Sequence, residues 1–150
     1  MSTKKDKAVE LFCQGYNCSQ AVLGAFCEDL GLDLKTALKL SSSFGAGMGK
    51  LREVCGAVSA MFMIAGLKDG YPAPDATDEK TAHYKKIQEL ANEFREKNNT
   101  IICRALLKNI KTTGGAAPEA RTDEYYKDRP CARFVSDAAE IAEKFLNEQN

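Results

Sequence analysis

Apolar residues recur three and four positions apart along most of this chain, and no segment shows strict alternation, so the pattern predicts helices and no strands. Ala8, Val9 and Phe12 mark one face of a first helix that Gly15 stops. Asn17, with Gln20 three residues on, reads as a capping box for a second helix from Cys18 to about Leu30. Cys18, Val22, Ala25 and Phe26 share one face of it, and Gly31 supplies the stop. Asp33 caps a third, through Leu34 and Leu38 to about Ser42.

The glycine-rich run from Phe44 to Gly49 is too entropically costly for a helix interior and reads as a loop. From about Val54 to Gly70 the pattern is apolar nearly all round (Val58, Met61, Phe62, Ile64, Ala65), as expected of a central buried helix. Beyond Pro72 and Pro74, Thr77 or Asp78 caps a long helix with Tyr84, Ile87, Leu90, Ala91 and Phe94 inward, ended by Asn98 and Asn99. Thr100 caps a short helix through Cys103, Leu106 and Leu107. Lys111 to Lys127 forms a long connection carrying Gly114, Gly115 and Pro118, a length that predicts a mobile cover or a partner surface. Pro130 opens the last helix, with Val135, Ala138, Ala142 and Phe145 inward. The reading is an all-α, single-domain helical bundle of about six or seven helices over residues 1–150.

Composition narrows what such a bundle can do. At 150 residues, 44% hydrophobic and 28% charged, the chain can bury a core of its own. Its 21 basic residues balance its 21 acidic ones, so there is no basic field for nucleic acid. The most apolar stretch, Val54 to Leu67, is shorter than the roughly 20 residues that span a bilayer, which predicts no membrane insertion. Met1 to Asp6 is charged and leads into no apolar run, so a cytoplasmic protein is expected. Six cysteines in 150 residues lie below the roughly 8–10% of a disulfide-built scaffold. In a reducing compartment they are free, catalytic or metal-bound.

Four of the six fall at predicted helix starts: Cys18, Cys55, Cys103 and Cys131. Unpaired N–H groups and the helix dipole favour thiolate there. Arg52, Arg104, Arg129 and Arg133 stand near three of them in sequence, and Cys55, heading the central helix, is the expected attacking thiolate. Against this, Cys18 and Cys131 also sit on apolar faces, where cysteine serves as a small hydrophobe. Cys13 and Cys27 come late in their helices and read as packing residues.

These cysteines are the residues by which the chain resembles the C_GCAxxG_C_C family of redox-active proteins. Cys18 in Asn17-Cys18-Ser19-Gln20 corresponds to the first cysteine, and Cys55-Gly56-Ala57-Val58-Ser59-Ala60 to the CGAxxG motif. Cys103 resembles the third and Cys131, after Arg129-Pro130, the fourth. The motif's last glycine is here Ala60, which keeps the position small but removes a bare backbone. The resemblance implies a redox role.

Other constellations are weaker. Phe44 to Lys50 lacks the preceding strand and the glycine spacing of nucleotide loops, although its amides can form a nest for an anion or thiolate. His83, the single histidine, lies at the edge of an apolar face and reads as structural, with a Cys-His pair as the alternative. Short C-x2-4-C zinc pairs and ferredoxin-type runs are absent beyond Cys13 and Cys18. Three functions remain open: a thiol/disulfide protein exchanging electrons with a partner protein or a small thiol or oxidant, needing no cofactor; an iron-sulfur or zinc protein liganded by the same four cysteines; and a non-catalytic interaction module. The first two require at least two of Cys18, Cys55, Cys103 and Cys131 to lie within reach of one another, and the oligomeric state is open.

Overall fold

A computed structural model describes residues 3–148; Met1 and Ser2 of the expected N-terminal segment lie outside it. The chain folds as helices, and among the described residues the one extended pairing is an isolated antiparallel bridge between Val54 and Ile102. In order these are α1 (Lys4–Cys13), α2 (Cys18–Phe26), α3 (Leu34–Ser42), the four-residue turn α4 (Gly45–Met48), α5 (Gly56–Asp69), α6 (Thr77–Asn98), the single turn α7 (Cys103–Leu106), α8 (Asp123–Asp128) and α9 (Cys131–Glu148). Six of them span nine residues or more, matching the expected number.

The caps act as their chemistry predicts. Asn17 Oδ1 accepts from the Gln20 amide while Gln20 Oε1 accepts from the Asn17 amide, closing the box on α2. Asp33 accepts from Thr36 at the head of α3. The second helix ends earlier than expected, at Phe26, and continues as a 3-10 turn, Cys27–Leu30, that left-handed Gly31 closes. Ala76, not Thr77 or Asp78, precedes the first turn of α6 and provides no side-chain cap. The connection after Lys111 also carries a helix that the sequence does not announce, α8, whose Thr122 hydroxyl accepts from Tyr125.

α5 is the middle of the bundle and packs on α2, α6 and α9, while α1 closes the remaining side of α2 and α9. Ala57, Val58, Ala60, Met61, Ile64 and Ala65 are all fully buried, which explains a segment apolar on every face. Ala60 belongs to this core, with room for its methyl, so the missing motif glycine leaves no gap in α5. Among the described residues no helix is long and apolar enough to cross a membrane.

The glycine run is more ordered than a loop. Ala46, Gly47, Met48, Gly49 and Lys50 all have positive φ, between 57° and 70°, so α4 and the residues after it form a left-handed turn. The Gly49 amide donates to the Gly45 carbonyl at 2.9 Å. For L residues this hand costs about 1–2 kcal/mol each, which makes Ala46, Met48 and Lys50 a local expense that the rest of the fold must hold in place.

Candidate functional site

The left-handed turn, the heads of α2, α5, α7 and α9, and the connection before α8 enclose a cavity of about 120 Å³. Cys18, Cys55, Cys103 and Cys131 all line it. Antiparallel neighbours would put successive helix starts at opposite ends; two devices overcome this here. The left-handed turn carries the chain back from the end of α3 to the start of α5. The bridge at Val54 and Ile102 then joins the approaches to α5 and α7: the Cys55 amide donates to the Ile101 carbonyl at 2.8 Å and the Arg104 amide to Arg52 at 3.0 Å.

Cys18 is the electrostatic centre of the site. Its sulfur is hydrogen-bonded to Cys55 and also receives the backbone N–H groups of Ala46, Ala57 and Ser19, one each from the left-handed turn, the first turn of α5 and the first turn of α2. The Cys55 hydrogen bond is the largest influence, and with the amides it outweighs burial to bring the Cys18 thiol from 9.0 down to about 6. Of the pair, Cys18 is the one favoured to ionise and Cys55 the one held protonated. Cys55 is pushed well above its ordinary value by that same bond, by burial and by the Cys18 charge. The sequence names Cys55 as the attacking thiolate, whereas the electrostatics of the pair favour ionisation at Cys18. Cys55 occupies the cap position before α5, where the Val58 and Ala57 amides pull its value down, but the Cys18 bond, burial and the Cys18 charge outweigh them.

Gly56 explains the glycine of the motif. A Cβ built on it would lie 2.6 Å from Cys18 Sγ and 2.7 Å from the Phe44 carbonyl oxygen, so only glycine lets the sulfur reach the head of α5. Gly47 is constrained doubly, by φ of +70° and by a Cβ position 2.6 Å from Cys103 Cβ.

The other two sulfurs are neutral thiols. Burial raises Cys103, against a hydrogen bond from Arg52 Nη1 at 3.8 Å. Burial first, then the Cys18 charge, raises Cys131 to about 12, against the opposing pull of Arg129 and Arg121. The sequence neighbours of the cysteines are not all their spatial neighbours. Arg52 serves Cys103 and not Cys55, while Arg104 turns outward to Glu53 at 3.0 Å and Arg133 stacks on the Phe134 ring. Cys27 is fully buried as expected, but Cys13 is exposed, because α1 ends there and its last residue turns away from the core.

The cover comes from the connection that follows α7. Pro118, Glu119, Arg121 and Tyr125 line the cavity. Buried Arg129 pairs with Glu119 and donates to the Lys111 carbonyl at 3.2 Å, and Arg52 lies 3.7 Å from the same carboxylate. Arg121 lies over the Phe12 ring, 4.4 Å from its centre, and donates to the carbonyls of Phe12 at 2.9 Å and Tyr16 at 3.0 Å. Glu119, Arg121 and Lys50 carried no cysteine-centred signal in the sequence. His83 is buried on α6 against Tyr71, outside the cavity lining, so no Cys-His pair forms there.

Among the described residues no group of three or more Cys, His, Asp or Glu side chains could hold a metal ion. The four sulfurs share a cavity wall without the convergence that zinc or an iron-sulfur cluster needs, and as arranged they do not fit such a centre. Compared with known proteins, residues 16–145 match the family described as "Putative redox-active protein (C_GCAxxG_C_C)". No curated protein and no solved structure matches the chain.

Proposed function

The chain belongs to the C_GCAxxG_C_C family, and from that membership we propose that it is a thiol/disulfide redox protein in which Cys18 attacks and Cys55 resolves. One observation carries the reading: the Cys18 sulfur, fed by a Cys55 hydrogen bond and three backbone amides, opens onto a covered cavity lined by four cysteines. The Cys18 thiolate attacks one sulfur of a disulfide substrate, its S–S bond breaks, and the first thiolate leaves. Cys55 then loses its proton to that leaving group, and its sulfur attacks the Cys18 sulfur of the mixed disulfide. The second thiolate leaves and takes up a proton from solvent. Two protein thiols become one disulfide, and the substrate disulfide becomes two thiols. Cys103 and Cys131, both held protonated, stand by as a second dithiol on the same wall.

The test is thiol counting on reduced protein purified without oxygen, before and after a mild disulfide oxidant, with the bridged residues mapped by mass. Loss of two thiols from Cys18 and Cys55, restored by reductant, is the expected result. Six persistent thiols, or a first bridge that omits Cys18, overturns the proposal. Stoichiometric iron or zinc in that preparation overturns it in favour of a metal centre.

A further inference from the structure

The chain as a whole has no net charge, but the cavity wall does. Lys50, Arg52, Arg121 and Arg129 face it against the single carboxylate of Glu119, a formal surplus of three positive charges, or two once Cys18 is ionised. Glu119 serves Arg129 and Arg52. Among the described residues the hydrogen-bond acceptors of Lys50 and Arg121 are all neutral oxygens: Thr113 Oγ1 at 3.0 Å, Gly114 O at 3.4 Å and Ala117 O at 2.6 Å for the lysine, and Phe12 O, Tyr16 O and Tyr126 Oη for the arginine. Their charges are oriented by those bonds and, among the described residues, left without a counterion. Phe12, Tyr125, Phe134 and Pro118 supply apolar wall between them.

We infer that this cavity takes a small anionic disulfide, its negative groups drawn to Lys50 and Arg121 and its S–S bond presented to Cys18. The inference rests on the redox reading above and names its substrate class. The volume argues for a small molecule. At about 120 Å³ it falls below the roughly 300–1,000 Å³ of pockets for drug-sized ligands, the scale of a small compound and not of a protein loop. A cleft lined by one sign of charge raises association rates of the opposite sign by about 10–10³-fold, and more so behind a low-dielectric cover.

The probes are three disulfides of similar size: 3,3′-dithiodipropionate, a dianion; 2-hydroxyethyl disulfide, neutral; and cystamine, a dication. Rates of oxidation of the reduced full chain are measured for each and divided by the rate of the same disulfide with a neutral small thiol, which removes intrinsic reactivity. The expected result is a normalised rate for the dianion at least tenfold above that for the dication at low salt, with the difference collapsing near 1 M salt, where the screening length falls to about 3 Å. Lys50→Gln is expected to slow the dianion at least threefold more than the neutral disulfide. Equal normalised rates across the three charges, or a preference for the dication, overturn the inference while leaving the redox reading intact. Failure of every disulfide to remove thiols overturns the redox reading itself, and the unmodified protein suffices for both decisions if the variant does not fold.

Discussion

Replacing Cys55 by alanine removes the largest influence that holds Cys18 ionised, and the effect can be sized. At pH 7 a thiol at about 6 is about 90% thiolate, whereas one left at 9.0 is about 1%. Intrinsic nucleophilicity falls with pKa along a slope of about 0.4–0.5, which returns roughly 16- to 30-fold over three pH units. The net advantage of the native site at pH 7 is then only about three- to six-fold, so a single rate decides little. The pH profile decides more. Exchange with a neutral disulfide, or ultraviolet thiolate absorbance, should inflect near pH 6 in the native protein. In Cys55→Ala it should move toward 9, while Cys55→Ser, which keeps a hydroxyl donor, should stay well below 9. The same shift bears on stability. Because the folded pKa is depressed, the contribution of Cys18 is fully present above its unfolded value of about 9 and is lost as pH falls through about 6. A native profile inflecting near 9, or an alanine variant still inflecting near 6, would refute the reasoning.

Gly56→Ala forces a methyl to within 2.6 Å of Cys18 Sγ and should cost about 1–3 kcal/mol by denaturant titration, with the Cys18 inflection rising as the sulfur is displaced from the α5 amides. Ala46→Gly relieves a left-handed alanine and should stabilise the fold by about 1 kcal/mol with the Cys18 inflection unchanged, since the amide stays in place; a loss of stability would mean the turn is not strained. Ala60→Gly restores the family's glycine but removes a buried methyl from the middle of α5, so a loss of about 1–2 kcal/mol is expected without change at Cys18; no loss would show that Ala60 adds nothing to the core. Limited proteolysis should cut first between Lys111 and Ala117, exposed throughout, and a first cut inside any of the long helices would contradict this.

The helices were legible because capping and periodicity are local. Asn17 with Gln20, Asp33, Gly31 and Asn99 all lie within a few residues of the ends they mark, and the all-apolar α5 could only be central. The grouping of the four cysteines was legible only as a requirement, since helix starts converge through the left-handed turn and the Val54–Ile102 bridge. Glycines in a run signal freedom but not the hand of the turn, and two isolated bridge residues leave no alternating pattern. The electrostatic difference between Cys18 and Cys55 was hidden for the same reason. Sequence places Arg52 three residues before Cys55, but the bridge turns its guanidinium to Cys103, and the amide that matters most to Cys18 from outside its own helix comes from Ala46, nearly thirty residues on.

The strained turn and the thiolate belong to one argument. The three non-glycine residues of the turn, Ala46, Met48 and Lys50, carry about 3–6 kcal/mol, a sizeable share of the 5–15 kcal/mol that keeps a typical domain folded. A right-handed turn over the same residues would avoid that cost but would take the chain along a different path and displace the Ala46 amide from Cys18. It would also move Gly47, whose carbonyl accepts from Glu53 at 2.9 Å and whose bare Cα admits Cys103, and it would carry Lys50 off the cover at Thr113 and Ala117. One conformational choice therefore supplies the Ala46 hydrogen bond to the thiolate, the seat for a neighbouring cysteine and a cation held at the mouth. Each of these could be had elsewhere in a helical bundle at no strain, but not all at a single point where four helix starts meet, and that coincidence is what ties the strain to the chemistry rather than to the fold.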